Sequence, residues 1–188
     1  MTIVILAAGA ARRMGSQKLL LPIDGRPMIA HVLAAAVGWP IVVVSGAELE
    51  PLLTALPLRI VRNVAPERGM SHSLALANAV IAPGEAIAVL LGDLPDITPA
   101  AVAAAIDAYD ETVDVVVPRR GDAFGHPIVF GPLARRKIAG LADGDTIREL
   151  RDDPGLRRRM LPADPGALTD IDTPDDYAQR TLRKRSKE

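Results

Sequence analysis

The sequence predicts an α/β fold, a sandwich of helices around a mostly parallel central sheet. Short apolar runs recur at residues 3–6, 41–44, 58–61, 86–91 and 113–117, and alanine-rich helical segments separate most of them. The first run also opens directly into a loop of small residues and cations, the position where open α/β sheets bind ligands.

Residues 1–8 are apolar almost throughout, as in a strand buried on both faces. Small residues at Ala7, Ala8, Gly9, Ala10 and Ala11 then let the backbone approach a ligand closely, and successive N–H groups in such a turn form an anion-binding concavity. Arg12, Arg13 and Lys18 add positive charge, and Gly15 breaks any helix between the arginines and the lysine. A turn with solvated arginines is the plainer reading, but this density of cations favours a triphosphate. Neither GxxxxGKS/T nor GxGxxG occurs, so the loop is neither a P-loop nor a dinucleotide fingerprint.

Helices are expected at 27–37, 48–56, 71–81 and 99–109, with Pro27 and Pro99 in first turns and Thr98 as an N-cap. His31 falls inside the first apolar helix and is read as structural. Gly69-Met70-Ser71-His72-Ser73 precedes the third helix, where its hydroxyls and N–H groups can cap the helix or bond a sugar and base. Gly92-Asp93-Leu94-Pro95 puts a carboxylate just beyond the fourth run. Magnesium takes one or two carboxylates plus phosphate oxygens and water, so Asp93 beside a bound triphosphate suits it; capping the loop before Pro95 is the alternative.

After Val117 the pattern changes to GDAFGHPIVFGP, a hairpin or β-excursion in which Pro127 restrains His126. A late helix fits 145–151, with Asp145 as N-cap and Glu149 near its positive end. Asp170-Ile171-Asp172-Thr173-Pro174 sets two carboxylates on one face of an extended piece, and either can be a second metal ligand. The basic stretch from Arg180 reads as a solvated helix end.

With 188 residues, nearly half of them apolar, one domain over 1–188 is expected. A net charge of −1 argues against general nucleic-acid binding, and 3% aromatic content against stacking platforms for single strands. Cysteine is absent, which excludes disulfides, thiolate metal sites and cysteine nucleophiles. No basic n-region precedes the first apolar run, and no run approaches the ~20 residues of a membrane span, so a cytoplasmic protein without membrane contact is expected.

In order along the chain, LAAGAARRMGSQKLLLP (6–22), GMSHSL (69–74), GDLP (92–95), GHPIVF (125–130) and DIDTPDDY (170–177) resemble the motifs of the MobA-like nucleotidyltransferases, and within them the molybdenum cofactor cytidylyltransferases of the MocA-like branch. The resemblance covers nearly the whole chain. It implies a Rossmann-like nucleotidyltransferase fold that transfers a nucleoside monophosphate from a triphosphate with Mg2+ and releases pyrophosphate.

Carried over, it makes Arg13, Lys18 and Asp93 catalytic, and Asp93 and Asp172 the metal site. Leu6, Ala7, Ala8, Gly9, Arg13, Lys18, Gly69, Ser71 and Ser73 bind the nucleotide, and His126 faces the acceptor. Ala8 stands where guanylyl relatives tend to carry glycine, which makes CTP the first choice. Molybdopterin cofactor is the implied acceptor and a molybdoenzyme apoprotein a possible partner. Leu94 departs from the methionine or glutamine frequent in GDLP, which leaves a sugar or polyol phosphate open as acceptor. A non-catalytic nucleotide- or cofactor-binding delivery subunit is the reading from another class.

Overall fold

The computed structural model describes residues 1–9 and 18–185. Strand β1 (Thr2–Ala7) is followed by a small hairpin of β2 (Pro22–Ile23) and β3 (Arg26–Pro27), turned by Asp24 and Gly25 at φ 50° and 76°. Helix α1 (Met28–Ala35), β4 (Ile41–Ser45), α2 (Glu50–Leu53), β5 (Arg59–Arg62), α3 (Met70–Ala79), β6 (Ile87–Leu91) and α4 (Pro99–Asp107) alternate as expected. Then come β7 (Val115–Arg120), β8 (Ala123–Phe124), β9 (Ile128–Phe130), α5 (Pro132–Arg136), α6 (Ile147–Arg151), β10 (Arg158–Pro162) and α7 (Pro174–Arg185).

The main sheet runs β10-β7-β9-β6-β1-β4-β5, with β8 attached to β7. Its pairs β1/β4, β1/β6, β4/β5 and β7/β10 are parallel, while β9 is antiparallel to both neighbours. Side chains of β1 alternate between two cores. Ile3, Ile5 and Ala7 pack with Met28, Ile29 and Val32 of α1, Leu53 of α2 and Val102, Ala105 and Ile106 of α4. Val4, Leu6 and Ala8 pack with Leu74 and Ala77 of α3, Ala134 of α5 and Ile147 and Leu150 of α6. Helices therefore cover both faces, which is why β1 reads as an unbroken apolar run: each such side chain contributes roughly 1.5–3 kcal/mol by leaving water. Among the described residues no helix is long and apolar enough to cross a membrane.

Several local expectations are corrected. Pro27 belongs to β3 and caps α1 instead of lying in its first turn. The second helix is cut to a 3-10 turn at Ala47–Leu49 and the four residues of α2, because Pro51 lacks an N–H and fits only a first turn. The cap of α6 is Thr146, not Asp145: its hydroxyl accepts from Arg148 N at 3.2 Å, and Glu149 accepts from Thr146 N at 2.8 Å. Thr98 caps α4 as expected, accepting from Ala101 N at 3.1 Å.

The excursion splits in two, since β8 folds back on β7 while β9 enters the main sheet between β6 and β7. Edge strand β10 is unannounced in the sequence, because only alternate residues pack and arginines dominate its start. Arg157 forks Asp114 with Nε and Nη2 at 2.9 and 3.0 Å and so fixes where β10 begins. Arg180 is not solvated: it is paired with Asp96 at 2.7 Å and Asp24 at 3.3 Å, ties α7 to the body, and is pushed above its ordinary pKa chiefly by Asp96.

Arg135 of α5 is 3% exposed and closes the end of α3. Its guanidinium donates to the carbonyls of Asn78, Ile81, Ala82 and Glu85 and to Asn78 Oδ1, acceptors at and just beyond the end of the helix. Replacing it strands those carbonyls in the core. Arg135→Met is expected to lower the unfolding free energy by about 3 kcal/mol in a urea titration. An unchanged midpoint would show that the cost of burying the charge cancels the network.

Candidate active site

The two central strands β1 and β6 stay paired beyond their ends, where Gly92 N donates to Leu6 O at 3.0 Å. From β1 the sheet grows through β4 and β5 on one side and through β6 on the other, so a crevice opens at their carboxyl ends. Gly92 lets these elements close tightly there, since an added Cβ would meet Leu19 and Ile29 side-chain carbons at 3.0–3.1 Å and push them back by a few tenths of an ångström. A cavity of about 370 Å3 occupies the crevice. Leu6, Ala7, Ala8, Gly9 and Lys18 form one wall, Gly69, Met70 and Ser73 another, and Gly92 and Asp93 its floor.

Three charged groups from distant parts of the chain meet at that floor. Lys18 Nζ donates to Asp93 Oδ2 at 2.8 Å and to Asp172 Oδ1 at 2.7 Å. Burial works against the ammonium, but the two carboxylates outweigh it and hold its pKa above the ordinary value. The segment carrying Asp172 is tied on by Ile171, which is 1% exposed and whose N–H donates to Asp93 O at 3.1 Å. Thr173 and Asp176 exchange bonds at the start of α7, Thr173 N to Asp176 Oδ2 at 2.9 Å and Asp176 N to Thr173 Oγ1 at 3.2 Å, which fixes the next residue along. Asp170 does not reach Lys18; burial and then the charges of Asp172 and Asp93 push its carboxyl up.

Asp93 Oδ1 is buried without a hydrogen-bond partner. An anionic oxygen in that state costs several kcal/mol unless a cation approaches it, and paired hard oxygens from Asp93 and Asp172 suit magnesium. No group of three or more His, Cys, Asp or Glu side chains placed for a metal occurs among the described residues.

Gly69 adopts φ 91° and packs on Gly144, whose Cα would lie 3.1 Å from an added Cβ. Its turn sends the chain into α3, where Ser73 accepts from Asn63 Nδ2 at 3.0 Å and lines the cavity. Ser71 is buried beneath it, with its N–H on Asp145 O at 3.1 Å and its hydroxyl unpartnered. Neither serine caps the helix: the N-cap is Gly69, with no side-chain bond.

A second cavity of about 470 Å3 adjoins the first, and Met70, Leu91 and Asp93 line both. Its other walls include Phe124, His126, Arg148, Arg151, Asp170 and Asp172. His126 Nδ1 lies 3.1 Å from Val89 O; a carbonyl only accepts, so Nδ1 carries the proton and Nε2 of the neutral ring is an acceptor. Burial pushes the His126 pKa down and keeps that state. His31 Nε2 meets Ile23 O at 2.8 Å, the structural role expected of it.

Thus Leu6, Ala7, Ala8, Gly9, Lys18, Gly69, Ser73, Asp93 and Asp172 converge on one crevice, with Ser71 behind it and His126 in the adjoining cavity. Arg13 lies outside the described residues, together with Arg12 and Gly15. Sequence reasoning missed Asn63, which orients Ser73, although it stands two residues beyond the third apolar run and inspection of each strand end reaches it. It also missed Phe124, Arg148 and Arg151, which no local pattern marks.

A family model described as the MobA-like NTP transferase domain matches residues 3–161. Bifunctional protein GlmU of Sinorhizobium fredii is 35% identical over 177 residues, covering 88% of this chain and 37% of that protein. The chain therefore spans well under two thirds of that curated relative. A nucleotidyl transferase of Methanothermobacter thermautotrophicus superposes with a TM-score of 0.83 at 25% identity, over 100% of this chain and 98% of the other. Rv0371c of Mycobacterium tuberculosis, in complex with manganese, gives 0.77 at 27% identity over 96% and 97% of the two chains. Most of the sheet, the small-residue loop after β1 and Asp93 at the end of β6 fall inside the matched span, and the chain belongs to the MobA-like NTP transferase family.

Proposed function

We propose that this nucleotidyltransferase moves a nucleoside monophosphate, CMP from CTP first, onto a phosphorylated acceptor, molybdenum-loaded molybdopterin first, and releases pyrophosphate. The observation that carries the reading is Asp93, held by Lys18 on the shared wall of two cavities. One cavity ends in small residues and main-chain N–H groups suited to a triphosphate; the other is roomy enough for a second substrate. Cytidine is favoured by Ala8 in LAAG, which lines the first cavity at 7% exposure, and the MocA-like branch by GMSHSL and GHPIVF.

In this reading an anionic oxygen of the acceptor's phosphate attacks the α-phosphorus, the bond from that phosphorus to the bridging oxygen of the β-phosphate breaks, and pyrophosphate leaves with the electron pair. The attacking oxygen is already deprotonated at neutral pH, so no general base is required, and neutral His126 is free to position the acceptor. Lys18 offsets the charge that builds on the transferred and departing phosphates, and Arg13 joins it from the same loop. Asp93 and Asp172 would hold magnesium, whose contribution when bound is to neutralise phosphate charge. Ser73 and the Gly69 turn hold the sugar and base.

Lys18→Ala is expected to cut turnover by roughly 100-fold or more, the scale of deleting one transition-state charge stabiliser; near-wild-type pyrophosphate release by the purified variant would remove that role. Asp93→Asn keeps the side-chain volume and is expected to raise the magnesium needed for half-maximal turnover by about tenfold while the unfolding midpoint holds. An unchanged titration would place the metal elsewhere. Pyrophosphate release measured with CTP, GTP, ATP and UTP, each with molybdopterin cofactor or with sugar and polyol phosphates, tests the whole reading. Release that depends on CTP and the cofactor supports it. Tight nucleotide binding without release from any pair would favour a delivery subunit.

A further inference from the structure

The second cavity is lined by one cation that makes no ion pair among the described residues. Arg151 is committed: its Nε and Nη2 donate to Asp152 at 2.8 and 2.6 Å, and its guanidinium lies over the Phe124 ring at 3.8 Å. Arg148 differs. Its backbone N–H is held by Thr146, but among the described residues its guanidinium has no hydrogen bond and no carboxylate within 4 Å. The carboxylates nearest in sequence are occupied, Glu149 by Thr146 and Asp152 by Arg151. Arg148 is exposed at the cavity wall and its charge reaches Glu149 and Asp152 only at longer range, while Ile147 and Leu150 anchor the helix.

In the transferase reading the acceptor's attacking phosphate lies at the wall that Met70, Leu91 and Asp93 share between the two cavities, where Asp93 is the charged group. Asp170 and Asp172 also line this second cavity and repel any further anion placed beside them, so a second negative group is drawn to the cationic wall. Resting on the transferase reading above, we propose that Arg148 is a specificity-determining residue that binds a second anionic group of the acceptor, distinct from the phosphate that attacks. A guanidinium suits this, with a fixed fork of donors and a charge that persists at every working pH. His126, accepting through Nε2, adds a site for an N–H or O–H of the same molecule. An acceptor of this class carries a phosphate monoester, a hydrogen-bond donor and a further anion; a simple polyol phosphate lacks the last.

Equilibrium binding of molybdenum-loaded molybdopterin and of its dephosphorylated form to the wild type, Arg148→Gln and Arg148→Lys, without nucleotide, tests the proposal alongside MgCTP-dependent pyrophosphate release. Arg148→Gln is expected to weaken both forms by about tenfold or more, the scale of losing one charge-assisted contact, with partial recovery in Arg148→Lys and MgCTP affinity held within about twofold. Equal binding by Arg148→Gln and the wild type overturns the proposal. So does a loss confined to the phosphorylated form, which would put Arg148 on the attacking phosphate. A tenfold loss in a wild-type background that releases no pyrophosphate supports the Arg148 contact and overturns the transfer reading instead. A wild type that binds neither form overturns both.

Discussion

One ammonium between two carboxylates organises the working end of this molecule. Lys18 comes from the loop after β1, Asp93 from the end of β6, and Asp172 from a segment that belongs to no strand of the sheet. Partly buried carboxylates side by side repel, which adds to the effect of burial in raising the pKa of neighbouring Asp170, and a cation between them offsets that repulsion. Because the Lys18 pKa lies above its ordinary value, the stabilisation is fully present below that ordinary value and fades only as pH rises through the folded one. The ammonium is therefore charged at neutral pH, and its bonds to Asp93 and Asp172 hold Lys18 at the floor of the crevice.

The rest of the fold brings those three groups to one point. Parallel pairing of β1 with β6 sets their carboxyl ends level, and the bond from Gly92 N to Leu6 O carries the pairing one step further. Two apolar cores hold that pair rigidly from both faces. The Asp172 segment needs its own anchors, which are Ile171 in the core, Tyr177 Oη on Pro22 O at 2.7 Å and Arg180 on Asp96. The anchors work by burial, by a neutral hydrogen bond and by an ion pair respectively, and together they make a non-sheet segment part of the site.

What was legible in the sequence follows from which features are local. Ile3 to Leu6 and Ala86 to Leu91 are apolar on both faces, so their ends, and with them Ala8, Gly9 and Asp93, could be read directly. The alternation in Asp170-Ile171-Asp172 showed two carboxylates on one side with Ile171 opposite, but choosing Asp172 required knowing where Lys18 lay. Edge strand β10 was hidden because a half-packed edge tolerates arginines, and Arg180 passed for solvated because its partners Asp24 and Asp96 are far off in sequence. Arg135 shows the same limit: a buried charge is visible only once the helix end it satisfies is in place.

The two cavities present different groups to Asp93. The first is lined by Lys18, Glu67 and the small residues Ala7, Ala8, Gly9 and Gly69. On the other side Asp170 and Asp172 stand beside Asp93, while Arg148 and Arg151 share the cavity with Phe124 and His126. A phosphate monoester entering there moves towards carboxylates, which is unfavourable until their charge is offset. Lys18 offsets part of it, and the unpartnered Oδ1 of Asp93 marks where further positive charge would act. Under the proposed transfer, positive charge at that oxygen would ease the approach of an acceptor phosphate past Asp170 and Asp172.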